Sequence, residues 1–215
     1  MPASVLSAPA ATSNEPPADR ILRAARVHFF AHGYSAFTMD DFAAELGMSK
    51  KTLYVHFAGK DEILRAVIEQ LGQEIRSDAE ALLRDRRLNF AEKLRGFAEG
   101  MAQRLSALNP RTVRDLQRFA PDLHRRVEEM RQKNIPYVFG RFIEEGQLAG
   151  MVRTDLNSAF AVEFYLQAIQ GLFQTATLER LNLAPREVCA RALDLFFGGL
   201  LTPSGRKGHE KLFPR

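Results

Sequence analysis

Apolar residues recur along most of this chain at helical spacing. Ile21, Leu22, Ala25 and Phe29 share one face, and Gly33 follows as a stop. Thr38 can cap a second helix, with Asp41 at the fourth position of a capping box; its apolar face is Phe42, Ala43 and Leu46, and Gly47 ends it. Ser49 can cap a short third helix reaching about Phe57. Gly59 separates that from a long helix over 60–86. Asn89 with Glu92 opens a fifth helix to about Leu108, and Pro110, Pro121, Asp155 and Pro185 start four more. Pro136 falls inside the seventh, where a missing N–H predicts a kink. No run of alternating apolar and polar residues between turn signals suggests a strand. The expectation is an all-α chain of about nine helices.

Both ends depart from the pattern. Residues 1–17 are rich in Ala, Ser and Pro and hold little to bury, which predicts a disordered tail. Residues 202–215 carry Pro203, Gly205, Gly208 and several charges, and read as a flexible basic tail. The expected units between are 18–64 and 65–201. No apolar run approaches the roughly 18 residues of a membrane span. One cysteine, Cys189, excludes a disulfide framework and fits a reducing, cytoplasmic setting.

The chain has 215 residues, a net charge of +4 and a pI near 9.4. A basic pI invites a nucleic-acid partner. The charge is badly placed for that argument, because residues 18–64 carry six basic and six acidic side chains while Arg206, Lys207, Lys211 and Arg215 oppose only Glu210 near the end. Local pattern says more. In residues 38–57, TMDDFAAELGMSKKTLYVHF, two short helices meet at a turn opened by Gly47, the helix-turn-helix arrangement whose second helix enters the DNA major groove. Leu53 and Phe57 face inward towards Phe42, Leu46, Leu22 and Phe29. Lys51, Thr52 and Val55 then face outward, flanked by Lys50 and Tyr54. Lysine suits guanine O6/N7 or phosphate, threonine offers a hydroxyl and a methyl, and tyrosine hydroxyl suits phosphate. An ordinary helical hairpin with a polar outer face shares this outline.

Residues 20–64 resemble the DNA-binding domain of the tetracycline-repressor (TetR) family of transcriptional regulators. The resemblance rests on Ile21-Leu22, Ala24-Ala25, Phe29, Gly33-Tyr34, Thr38-Met39, Ala43, Gly47-Met48-Ser49-Lys50, Thr52-Leu53-Tyr54, Phe57, Lys60 and Leu64. Val55 stands where an aromatic residue can occur. The resemblance implies a three-helix helix-turn-helix domain followed by a larger helical ligand-binding and dimerisation domain. It also implies that Thr38 caps the second helix and touches phosphate, that Lys50, Lys51, Thr52, Tyr54 and His56 lie on or beside the recognition helix, and that Lys60 binds phosphate. Lys51 and Thr52, then Lys50, are expected to contact bases; Tyr54, His56, Thr38 and Lys60 are expected to position the backbone.

Residues 156–176 and 188–200 are apolar on more than one face, so each must be covered all round. A partner subunit or a central place in a monomeric bundle would do this; the resemblance implies a four-helix homodimer interface, here through Phe160, Phe164, Ile169, Leu172, Phe173, Leu193, Phe196, Phe197 and Leu200. Two-fold symmetry would match a palindromic double-stranded DNA operator. Phe97, Met101, Leu105, Phe119, Met130, Tyr137, Phe142, Phe164 and Gln167 are candidate liners of a pocket for an unidentified small, hydrophobic effector, each also readable as ordinary core. Arg104, Arg111, Arg114, Arg118, Arg125 and Arg126 could meet an anion, or form a solvated face with Asp115, Asp122 and Glu128. His28 and His32 have zinc-compatible spacing, but no HExxH pattern or third ligand accompanies them. No Gly-rich phosphate loop or GxSxG elbow occurs, so neither cofactor nor enzyme activity is expected. The expected function is a ligand-released repressor; a helical small-molecule carrier and a helical enzyme are the alternatives.

Overall fold

A computed structural model describes the backbone of residues 16–212 and the side chains of residues 16–207. Eleven helices account for most of it: α1 Pro17–His32, α2 Met39–Glu45, α3 Lys50–His56, α4 Lys60–Arg84, α5 Phe90–Arg104, α6 Pro110–Phe119, α7 Pro121–Leu148, α8 Ser158–Leu172, α9 Thr175–Leu181, α10 Pro185–Leu200 and α11 Pro203–Leu212. The all-α expectation holds, with two more helices than periodicity suggests. Among the described residues, extended pairing is confined to a single antiparallel bridge between Val152 and Leu201.

Caps set most of the starts. Thr38 Oγ1 accepts from Asp41 N, and its hydroxyl donates to the Asp41 carboxylate, so Asp41 returns its bond to the side chain of Thr38 rather than to the backbone. Ser49 accepts from Thr52 N at 3.0 Å. Asn89 and Glu92 form the full reciprocal box. Asn157 caps α8 through Phe160 N, which places its start at Ser158 rather than Asp155. Pro136 lies within an uninterrupted α7.

Three apolar clusters organise the packing. One joins α1 to α4 around Ile21, Ala25, Phe37, Phe42, Leu53, Phe57, Ile63 and Val67. A second gathers Phe29, Phe30, Leu64, Ile68, Leu116 and Leu123. The largest lies among α4, α5, α7, α8 and α10, with Phe97, Phe139, Phe142, Tyr165, Phe196 and Phe197 at its centre. The four-residue face of α1 is thus split: Phe29 leaves the small N-terminal core and joins the second cluster. Helix α4 enters all three, through Ile63 and Val67, Leu64 and Ile68, and Ala79, so the expected boundary at residue 64 falls inside a continuous helix.

The C-terminal segment differs most from expectation. Where a flexible basic tail is read from the sequence, Pro203–Leu212 is helix α11; residues 213–215, like 1–15, lie outside the described residues. Thr202 caps it, its Oγ1 accepting from Gly205 N at 3.1 Å, and Thr202 N donates to Met151 O at 2.9 Å. Gly205 lies directly on Met151 O, so close that a Cβ there would clash with it. A glycine that reads as a loop residue is therefore a packing contact.

Candidate nucleic-acid interface

Helices α2 and α3 are held by inward residues and present the rest. Leu53 is fully buried and Phe57 nearly so, while Lys50, Lys51, Thr52, Tyr54 and Val55 are exposed and His56 is half-buried. Gly47 has φ 63°, a left-handed conformation that favours glycine and reverses the chain between the helices. Phe37, on which the sequence pattern is silent, is the fully buried residue that packs against Phe42 and the edge of His28. It lies in a loop, where periodicity carries no signal.

The predicted DNA-facing residues lie at the cap of α2, along α3 and at the start of α4. Lys50 Nζ pairs with Asp40 Oδ1 at 2.5 Å, both exposed; such a pair is worth little in water and is easily exchanged for phosphate. Thr52 Oγ1 stands 2.8 Å from Ser49 Oγ, beside the α3 N-terminus. Val55 is 75% exposed, an apolar side chain facing solvent on a short helix. Lys60, at the start of α4, has its Nζ 3.8 Å from the centre of the Tyr34 ring. The Tyr34 hydroxyl donates to Asp61 at 2.9 Å, and burial together with that carboxylate pushes its pKa up to about 12. The paired histidines serve the same unit: His28 Nδ1 lies 2.7 Å from Glu45 Oε2, linking α1 to α2, and its ring meets that of His32 at a tilt, 4.9 Å between centres.

Helix α6 grips this unit. Thr112 Oγ1 donates to Phe29 O and Phe30 O at 3.1 and 3.2 Å, and Asn109 N donates to Phe30 O. The buried Asp115 accepts from Ser35 N at 3.1 Å and from Ser35 Oγ at 2.5 Å. A Cβ on Gly33, which has φ 83°, would stand 2.8 Å from Asp115 Oδ2. The stop glycine of α1 therefore also makes room for a carboxylate from another helix. The sequence reading puts Asp115 on a solvated face; burial and these bonds place it at the joint instead.

Beneath the joint is an apolar cavity of about 160 Å³. Phe29 and Phe30 of α1 form part of its wall, with Thr112, Val113 and Leu116 of α6 opposite residues of α4, α5, α7 and α8. Of the expected liners, Phe97, Met101, Leu105 and Met130 face it. The others do not. Phe142 is buried against Phe97 and Phe197, Tyr137 turns outward to Glu80, and Phe119 and Phe164 are largely exposed. Gln167 bonds to Glu163 on the outer face of α8. Helical spacing marks an apolar face without saying whether void or side chain lies opposite. The arginines that could meet an anion or form a solvated face lie outside the cavity lining, and four have acidic partners: Arg104 pairs with Asp78, Arg114 with Glu179, Arg125 with Asp122 and Arg126 with Glu129. The arginine on the cavity wall is Arg131. Cys189 also lines it, and burial pushes its thiol up to about 11.

The expected interface residues divide sharply. Ile169, Phe173, Leu193, Phe196, Phe197 and Leu200 are buried within this chain, and Leu172 is partly buried. Phe160 and Phe164 of α8 are 69% and 61% exposed. Leu195 of α10 is 77% exposed, and Gly198 and Gly199 follow it with open space where a Cβ would stand. An outward stripe on each helix thus remains, narrower than the sequence suggests.

Comparison with known proteins agrees with this geometry. Residues 21–67 match the family described as bacterial regulatory proteins, tetR family. The chain is 27% identical over 206 residues to the HTH-type transcriptional regulator UidR of Escherichia coli, covering 90% of this chain and 97% of UidR. It is 26% identical over 168 residues to YvaF of Bacillus subtilis, an uncharacterised HTH-type transcriptional regulator, covering 78% and 87% respectively. Among solved structures, regulatory protein TetR from Rhodobacter sphaeroides superposes with a TM-score of 0.64 at 19% identity, covering 86% of this chain and 98% of that one. The fatty acid degradation regulator FadR from Bacillus halodurans does so with a TM-score of 0.63 at 16% identity, covering 88% and 98%. With the matched residues forming a capped helix-turn-helix whose outer face is open, residues 21–67 resemble the DNA-binding domain of the tetR family of bacterial regulatory proteins, and the chain is a transcriptional regulator with a DNA-binding helix-turn-helix.

Proposed function

We propose that this regulator is a homodimeric repressor that a small apolar ligand releases from a palindromic operator. The observation that carries this reading is the shared wall: one cavity is lined both by α1, part of the DNA-binding unit, and by α6, which is hydrogen-bonded to α1. A ligand that fits the cavity better in one arrangement of these helices shifts the population towards it. Couplings of this kind are typically about 1–3 kcal/mol, or roughly 5–150-fold in operator affinity. The shift would travel through α6 into α1 as well as along α4, which joins the same clusters.

In this reading Lys51 and Thr52 contact bases, with Lys50 joining them once Asp40 gives way to DNA. Thr38, Tyr54, His56 and Lys60 set the helix against phosphates, and Val55 supplies apolar contact suited to a thymine methyl. The outward stripes on α8 and α10, Phe160 and Phe164 with Leu195, would pack against their copies, and Gly198 and Gly199 let the backbones approach. Half-sites then lie about 34–36 Å apart, or a multiple of that.

The test is selection of genomic DNA fragments by the purified protein, followed by titration at several salt concentrations. The reading expects a palindromic consensus, one dimer per site, and affinity that falls steeply with salt as counterions are released. Recovery of fragments without a shared inverted repeat overturns it.

A further inference from the structure

The cavity wall has an asymmetry of charge. Its lining includes two basic side chains, Arg131 and His124, and no Asp or Glu. Most of its other polar groups are already occupied. The Thr112 hydroxyl donates to α1 carbonyls. Asn134 donates to Gly72 O at 2.7 Å and accepts from Arg76. Tyr165 and Cys189 bond to each other. What remains to meet a ligand is donor capacity on a base.

Arg131 is held in place for that role. Its Nη1 donates to Glu128 Oε1 at 2.6 Å, and its guanidinium carbon lies 4.5 Å from the centre of the Phe173 ring. Glu128 is one turn back on α7 and outside the cavity lining, so it orients the guanidinium from behind. The same Oε1 stands 3.9 Å from His124 Nε2, so one carboxylate serves both bases. Arg131 retains 16% side-chain exposure and is itself a lining residue. A guanidinium has five donor hydrogens in a planar fork that matches a carboxylate. Burial pulls the Arg131 pKa below its usual range and Glu128 opposes that shift, while the bond to Glu128 is made through Nη1 alone. One such group suits a monoanion; a doubly charged phosphate would leave a second buried charge unpaired.

We infer that the effector is an elongated apolar monocarboxylate, its head on Arg131 with His124 beside it and its hydrocarbon body among the Phe, Leu and Met side chains of α4 to α6. This rests on the reading of the cavity as the effector site. The binding of dodecanoate, methyl dodecanoate and dodecyltrimethylammonium to the full chain, measured by calorimetry and thermal shift, tests it. Dodecanoate should bind, and the ester and the ammonium should bind roughly tenfold to a hundredfold more weakly, the range for one hydrogen bond to a charged group. Arg131→Gln should erase the preference, and Arg131→Lys should keep part of it. Equal binding of the three amphiphiles overturns the carboxylate assignment and leaves the effector site standing. So does a preference that survives Arg131→Gln in a variant that melts cooperatively. No binding of any of the three overturns the assignment and the effector-site reading together. Should Arg131→Gln fail to fold, the comparison of the three probes on the unaltered chain and on Arg131→Lys decides.

Discussion

At the residue scale, the outward face of α3 consists of side chains that contribute almost nothing to folding. Lys51, Thr52 and Val55 are exposed, and Leu53 alone of the helix is buried. The double substitution Lys51→Ala, Thr52→Ala should therefore leave the melting temperature within a degree or two, since exposed sites rarely cost more than about 0.5 kcal/mol. It should weaken operator binding by about 1–3 kcal/mol for each base that these side chains read, and relax base preference at those positions. A fluorescence titration against the selected operator and its single-base variants checks both; unchanged affinity and unchanged preference would sink the assignment. Cys189 behaves in the opposite way, as a buried thiol beside Arg131 and Tyr165. With its pKa pushed up to about 11 from 9.0, it stays protonated at neutral pH. Reaction with an aromatic disulfide reagent should be slower in the native than in the denatured chain, by about a hundredfold from ionisation alone. The same shift has a sign for stability. Between pH 9.0 and about 11 the unfolded thiol has lost its proton and the folded one has not, so stability falls as pH rises through that window.

At the element scale, α6 is the short helix on which the rest depends. Ten residues long, it lines the cavity with Thr112, Val113 and Leu116 and grips the α1–α2 loop with Asp115. Asp115→Ala removes both bonds to Ser35. Stability should drop by about 1–3 kcal/mol, the usual cost of leaving buried polar groups unsatisfied. The larger consequence is on communication: the change in operator affinity that a cavity-bound ligand produces should shrink, while ligand affinity itself holds. Denaturant melts and paired operator titrations with and without ligand measure these separately. A variant that loses stability yet keeps full ligand response would show that α4 alone carries the coupling. Nothing in helical periodicity marks α6 for this part, because its buried polar residues look like any other on a basic, amphipathic helix.

For the whole molecule, the proposed homodimer rests on the outward stripes of α8 and α10. Phe160, Phe164 and Leu195 lie beside buried residues of the same helices, so this face is continuous with the core yet uncovered in a single chain. Replacing Phe164 and Leu195 together by Asp should shift the protein from dimer to monomer in analytical ultracentrifugation, with the helical content retained because neither side chain is buried. Operator binding should fall steeply with it, since a monomer engages one half-site. A double variant that remains dimeric would relocate the interface. The same scale explains why net charge is a poor guide. The DNA-facing region is formally neutral, and four basic residues of the tail outnumber its single Glu. In the proposed complex DNA meets Lys50, Lys51 and Lys60 locally, which a sum over the chain conceals.

Local chemistry in the sequence determined the helix-turn-helix and which of its side chains face outward. Caps such as Thr38, Ser49 and Asn89, the left-handed Gly47 and the inward Leu53 and Phe57 act over a few positions, so spacing alone identifies them. The matching residues extended that reading to the family. Tertiary structure alone decided the rest. Where both faces of a helix are apolar, as in α8 and α10, periodicity has no phase, and only packing chose Phe164 and Leu195 to face out while Phe196 and Phe197 turned in. Seven neighbouring arginines are alike in sequence; six lie outside the cavity, and Arg131 reaches it because α7 turns that position inward against Phe173. Helix α11 packs against the body of the chain where Gly205 lies on Met151 O, a contact across more than fifty residues. Each of these outcomes depends on what stands opposite a residue, and the linear chain does not state that.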